Sequence, residues 1–139
     1  MYTNHFTTVP KRAALAMIAA ATLLSACGGG GDAGPEALPD SITITSLDGP
    51  SGVTGGTETT LNVKVATTGG IGAGEITYTW EQTEGTAVLS KTQSNGNYES
   101  TLTIRPAPVL TTGSSVTFKV TTTARGKTSS QSKTIPVNP

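Results

Sequence analysis

Histidine is almost missing from this chain: the one copy, His5, lies in an N-terminal segment whose removal is argued below. A mature domain without histidine lacks the commonest general base. Cysteine is nearly as scarce. A single Cys27 excludes an intramolecular disulfide, and with that thiol engaged elsewhere the usual zinc and copper ligands are missing too. Aromatic residues make up 4% and charged residues 13% of the 139 positions. Without Lys11 and Arg12 the mature part keeps seven basic against nine acidic residues, a net charge of −2. That balance attracts neither nucleic acid nor an anionic membrane surface. Threonine, serine and glycine are abundant instead, a profile of strands and turns rather than helices.

The first 26 residues have three parts. Lys11 and Arg12 form a basic start. Ala13 to Ala26 then runs fourteen residues with only Thr22 and Ser25 polar. Small residues Ser25 and Ala26 precede Cys27. This is the layout of a secretory signal, and the run falls short of the ~20 residues that span a bilayer. The alternative, a buried helix of the domain, has no partner helix to pack on, because a glycine-rich segment follows at once.

Leu24-Ser25-Ala26-Cys27 resembles the lipobox of bacterial lipoproteins at all four positions. The resemblance implies diacylglycerol on the Cys27 thiol, cleavage before Cys27, and acylation, such as by palmitate, of the new amine. The rival outcome is ordinary cleavage after Ala26, leaving a soluble protein with a free N-terminal cysteine. Gly28 follows, not aspartate; by the sorting rule of enterobacterial lipoproteins this implies the outer membrane. Residues 27–40 read as a tether. Five glycines, two prolines and three acids between Gly28 and Asp40 cannot form a packed element. A glycine-rich coil of that length reaches about 20 Å.

From residue 41 onward the apolar residues alternate with polar ones. Ile42 and Ile44 mark an edge strand, with a short return piece at Val53-Thr54. Leu61, Val63 and Val65 mark a second strong strand, followed by a flexible loop, Gly69 to Gly74. Ile76, Tyr78 and Trp80 form the strand that organises the rest, because burying a tryptophan hides roughly 150–250 Å², worth about 4–6 kcal/mol at ~25 cal/mol per Å². A short piece is expected at Ala87-Val88-Leu89, and a tight turn at Ser94-Asn95-Gly96-Asn97, where Asn-Gly signals a hairpin. Tyr98, Leu102 and Ile104 form the next strand, and Val116, Phe118 and Val120 a central one running to about Ala124. After an Arg125-Gly126 turn the last strand carries Ile135 and Val137 inward, with an edge expected at Pro136. About seven short strands predict an all-β two-sheet sandwich over residues 41–139. Its inward set is Ile42, Ile44, Leu61, Val63, Val65, Ile76, Tyr78, Trp80, Leu102, Ile104, Val116, Phe118, Val120 and Ile135.

The segment Tyr78-Thr79-Trp80-Glu81-Gln82-Thr83-Glu84-Gly85, followed by Val88 and Leu89, resembles PKD-like and related bacterial immunoglobulin-like domains. The end, Phe118 through Ser130, is similar to their last hairpin. Adjacent Val88 and Leu89, and Thr123 where many members carry aspartate, depart from the pattern. The resemblance implies a non-enzymatic extracytoplasmic module for spacing, adhesion or protein contact.

Candidate chemistry is sparse. Glu81 and Glu84 read as solvated acids rather than a glycosidase pair, which needs a cleft with sugar-binding groups. A Ser-Lys dyad would have to use Lys91 or Lys127. Asp32, Asp40 and Asp48 are too dispersed for calcium. Tyr98 is the best candidate for an exposed ring that could stack on a sugar. No catalytic, metal or cofactor-binding residue is assigned, and the expected function is a lipid-anchored cell-envelope binding or scaffold module that contacts a protein partner through loops or an edge strand. A glycan- or peptidoglycan-binding module is the alternative, and a small hydrolase a remote one.

Overall fold

The computed structural model describes residues 36–139. The signal segment, Cys27 and most of the tether lie outside the described residues. Eight strands follow one another: β1 (Ser41–Asp48), β2 (Val53–Thr54), β3 (Thr59–Thr68), β4 (Thr77–Gly85), β5 (Val88–Gly96), β6 (Glu99–Pro106), β7 (Ser114–Ala124) and β8 (Lys127–Asn138). One three-residue 3-10 turn, Ala73–Glu75, interrupts them. Among the described residues no helix is long and apolar enough to cross a membrane.

The strands form two four-stranded sheets, ordered β1-β3-β6-β5 and β2-β8-β7-β4. That order is the Greek-key arrangement of an immunoglobulin-like sandwich, with the tryptophan on the strand where such domains carry it. All pairings are antiparallel except β2 on β8. The period-two alternation explains the layering. On β7, Val116, Phe118, Val120, Thr122 and Ala124 are buried while Lys119 between them is exposed. Leu61, Val63, Leu102 and Ile104 face them from the first sheet.

Every residue of the expected inward set is buried except Ile44 and Ile76, which are half-buried. Ile44 adjoins a bulge in β1, and Ile76 follows the 3-10 turn before β4 begins. Other expectations need correction. The piece expected at Ala87–Leu89 is a nine-residue strand, β5, reaching Gly96. The turn expected at Ser94–Asn97 is therefore displaced. Gly96 pairs with Glu99, so the loop is Asn97-Tyr98, and Tyr98 carries the left-handed backbone at φ 58°. The edge expected at the end of β8 closes beyond Pro136, where β2 pairs with Val137 and Asn138. The loop expected to be flexible at Gly69–Gly74 buries Ile71 in the core.

One glycine shows how tightly the ends are knit. Gly85 ends β4 at φ +94°, and a Cβ there would fall 2.0 Å from the Ser115 carbonyl oxygen. Only glycine permits both that backbone and that approach.

Candidate functional site

Three regions concentrate the polar chemistry: a seam between β4 and β5, and the two ends of the sandwich. The seam lies over Trp80. The indole is 4% exposed, and its Nε1–H donates to Ser100 Oγ on β6 at 3.1 Å, joining the two sheets. Ser100 in turn donates to Asn95 Oδ1 at 2.7 Å. Gln93 Nε2 donates to Asn95 Oδ1 at 2.9 Å and to the Tyr78 carbonyl at 3.1 Å. Lys91 Nζ donates to the Trp80 carbonyl at 3.1 Å. The register explains why Lys91 and Gln93 of β5 reach β4 while Asn95 supports them from beside Ser100. Lys91, Gln93 and Asn95 sit opposite Ile104, Leu102 and Ser100, on the inward face of their sheet. Lys91 and Gln93 bridge the open side of the sandwich and occupy two carbonyls that the β4 edge would otherwise present.

The end where β1 begins is centred on Arg125. Arg125 and Gly126 both have positive φ, at 45° and 75°, as a two-residue type I′ hairpin requires. The guanidinium clamps Glu75 with two hydrogen bonds, Nε to Oε2 at 2.6 Å and Nη2 to Oε1 at 2.9 Å. It also reaches Asp40 Oδ1 at 3.4 Å and the Gly69 carbonyl at 3.2 Å. Glu75 Oε1 accepts the Gly72 N–H at 2.8 Å as well. Tyr98 Oη donates to the Ile71 carbonyl at 3.3 Å, and the Thr68 hydroxyl donates to the Pro39 carbonyl. Asp40 lies against Gly69 so closely that a Cβ there would meet its backbone and carboxylate. The last residues before β1 are thus bound into the sandwich, by a cation whose partners lie 50 and 85 positions away.

The Arg125 hydrogen bonds, and then the Gly72 N–H, hold the Glu75 carboxyl below its ordinary pKa, and Glu75 raises that of Arg125. A lowered folded-state pKa stabilises the fold above the ordinary glutamate value and loses that contribution as pH falls through the lowered value. The wild-type Tm is therefore expected to exceed that of Glu75→Gln by a few degrees near pH ~7, the gap closing towards pH ~3. Thermal melts of the two proteins across that range check it. An unchanged gap at the acid end would show that the clamp acts through packing alone.

At the opposite end, Gly55 N–H donates to the Asn138 carbonyl and Gly56 N–H to the Pro106 carbonyl, both at 2.8 Å. Arg105 Nε donates to the Gly56 carbonyl at 2.7 Å. This end bears Leu110, 97% exposed, and Leu89, 60% exposed. A surface cleft of about 370 Å³, lined by Asp48, Gly49, Pro50, Thr59, Thr60 and Asn62, opens there with one carboxylate and no aromatic ring.

The candidates weighed from sequence fall as follows. Tyr78, Trp80 and Phe118 are in the core. The Tyr78 hydroxyl is buried with no protein partner, and its pKa is raised by burial and then by Glu99. Glu81 sits opposite Lys119 on the outer face, and Glu84 is exposed beyond a bulge. Lys91 is engaged by the Trp80 carbonyl, and Lys127 is exposed at the last hairpin. Among the described residues no three of His, Cys, Asp and Glu come together as a metal site. Tyr98 is 39% exposed, one ring beside a turn. Leu24, Ser25, Ala26, Cys27 and Asp32 lie outside the described residues. Sequence reasoning missed the Arg125 clamp and the seam; the only local hint of either was Arg-Gly at a hairpin turn.

No protein-family model matches the chain, and no curated protein matches it. Among solved structures it is similar to a conjugative transposon lipoprotein from Bacteroides eggerthii, at 12% identity and a TM-score of 0.49, covering 68% of this chain and 95% of that one. It is also similar to a chain from the complex of titin with a mutant obscurin-like 1 Ig domain, at 14% identity and a TM-score of 0.46, covering 72% and 94%. The fold class rests on the strand order itself: the chain carries an immunoglobulin-like β-sandwich.

Proposed function

We propose that this chain is a lipid-anchored, non-catalytic module of a bacterial cell envelope, attached through Cys27, most simply at the outer membrane, and that it works by contacting an envelope protein through loops or an edge strand. The observation that carries the reading is the Arg125 clamp. It fixes Asp40, the end of the segment leading from Cys27, to one end of the sandwich. The other end, about 35 Å away for strands of this length, keeps its loops and the Leu89 and Leu110 side chains free. A fixed entry and a free far end suit a spacer that presents a contact surface away from its anchor. The lipobox-like Leu24-Ser25-Ala26-Cys27 supports the anchor. The side chains weighed for catalysis are tied into structure or solvated, which supports a role without turnover.

Two measurements test this. The intact mass of the native mature protein should show cleavage before Cys27 and acyl groups on it. A photo-cross-linking residue at position 110 should form adducts with an envelope protein in living cells. A mature form without acyl groups, or adducts absent from every exposed loop, would overturn the corresponding half. The glycan alternative rests on Tyr98 alone. It predicts co-sedimentation with purified cell wall that Tyr98→Ala abolishes.

A further inference from the structure

The geometry points to self-association: the edge of β5 pairs antiparallel with β5 of a second copy about a twofold axis at Gln93. This deepens the edge-strand half of the proposed function by naming the partner as the chain itself. A sheet edge presents unpaired N–H and C=O groups, and proteins blunt such edges with bulges, prolines, charges or covering segments. Three of the four edges here are blunted. β1 bulges between Ile44 and Ser46, and its Ile44 N–H is taken by Ser129 Oγ. β4 has the Tyr78 and Trp80 carbonyls occupied by Gln93 and Lys91. β2, at the end of its sheet, is two residues long, and beyond it the β8 edge is met by β1, whose Ile44 N–H donates to Ser129 Oγ.

β5 differs. From Leu89 to Gly96 it is exposed on both faces. No bulge or proline interrupts Ser90 to Gly96. Its one charge, Lys91, points inward, a device that blunts other edges, but here the ammonium is tied to the Trp80 carbonyl of β4 and does not face an added strand. A two-residue hairpin loop closes on a hydrogen-bonded pair, here Gly96 with Glu99. The alternation of antiparallel pairing then points the backbone groups of Lys91, Gln93 and Asn95 away from β6, to the open edge.

Those three positions fix the self-pairing register. Centring on Gln93 sets Lys91 against Asn95 of the second copy, and Thr92 against Ser94. It gives every residue from Ser90 to Gly96 a partner and keeps the two lysines apart. Centring on Lys91 would oppose like charges. The Thr–Ser pairs so formed repeat one that bonds across this protein's own strands, Thr121 with Ser130 at 3.0 Å, and resemble the Thr117–Thr134 pair at 2.9 Å. The exposed apolar residues also match. Leu89 is the second residue of β5 and Tyr98 lies just past its end, so the antiparallel arrangement brings Leu89 of one copy beside the Asn97-Tyr98 turn of the other. A strand edge alone buries less than the ~800 Å² per partner of a standard stable interface. The pairing sets the two Asp40 ends at opposite ends of the dimer, so both tethers reach one membrane when the paired strands lie along its surface; confinement there raises the effective concentration of the two copies, and the association belongs on a bilayer.

The test uses the mature lipidated chain in phospholipid vesicles, where an introduced cysteine is the sole free thiol. Directly opposed hydrogen-bonded residues lie ~5.5 Å apart at Cα, within disulfide range. Gln93→Cys should therefore give a disulfide dimer at least ~tenfold faster than Ser132→Cys on the outer face of β8. Adding Thr92→Lys with Ser94→Lys to Gln93→Cys should suppress the dimer. Thr92→Glu with Ser94→Glu should do the same, and an equimolar mixture of the two should restore a mixed dimer by opposing Lys and Glu. Equal rates at 93 and 132, or charge variants that cross-link like the parent, would overturn the proposal. In living cells, a photo-cross-linking residue at 94 that captures another envelope protein and no second copy would overturn self-pairing yet leave the proposed function standing. No adduct at 94 or 110 would overturn both.

Discussion

Trp80→Ala is expected to lose about 3–5 kcal/mol of stability, a large part of the 5–15 kcal/mol margin of an ordinary domain. The indole is nearly fully buried, and the chain's one cysteine, Cys27, precedes the sandwich, so no disulfide joins the sheets. Packing across Trp80 and the Nε1–H bond to Ser100 do that work instead. The two contributions separate by substitution. Trp80→Phe keeps much of the apolar area and loses the donor. Ser100→Ala keeps the indole but leaves its N–H buried without an acceptor, at about 1–3 kcal/mol. If the bond matters as drawn, Ser100→Ala costs much less in the Trp80→Phe background than alone. Urea unfolding followed by far-UV circular dichroism reads all four proteins. A Trp80→Ala protein within about 1 kcal/mol of wild type would mean that the sandwich does not close on this residue.

That residue was legible because β4 obeys the period-two rule, as do β3 and β7: one face of each looks into the core, and the sequence prints it. β5 obeys no such rule. Its inward residues Lys91, Gln93 and Asn95 lie over the seam and not the core, so selection for apolar side chains never acts on them. A run such as Ser90-Lys91-Thr92-Gln93-Ser94 then reads as loop. The displaced hairpin has the same origin. Asn95-Gly96 carries the usual turn signal, but Asn95 is spent on Ser100 and Gln93 within the seam, and Tyr98 takes the left-handed position instead. Ile71 was hidden for a different reason. It stands alone among glycines with no periodicity, and only the fold shows that the loop dips to the core there. The Arg125 clamp could not be read at all, because its partners are brought together by three separate crossings of the chain.

Cys27→Ser should move the protein from the membrane fraction to the soluble one almost completely. The reasoning is energetic. Each buried CH₂ contributes about 0.8 kcal/mol, yet one acyl chain gives only marginal, reversible binding, with a partition constant of about 10⁴ M⁻¹. On the proposed lipidation, two or three chains on one residue would lift the anchor past that margin, and all of them would require the residue 27 thiol or the amine freed by cleavage beside it. Among the described residues the net charge is slightly acidic, and no helix is long and apolar enough to cross a membrane. Partial holding by the exposed Leu89 and Leu110 would not survive a carbonate wash. The sandwich starts beyond the tether, so the thermal melt of the variant should match wild type, which separates detachment from misfolding. Immunoblots of washed membranes, with detergent phase partitioning as a second readout, decide it. A Cys27→Ser protein that stays with the membrane although its mass shows the first 26 residues removed would place the attachment in the folded domain and end the case for an acyl anchor.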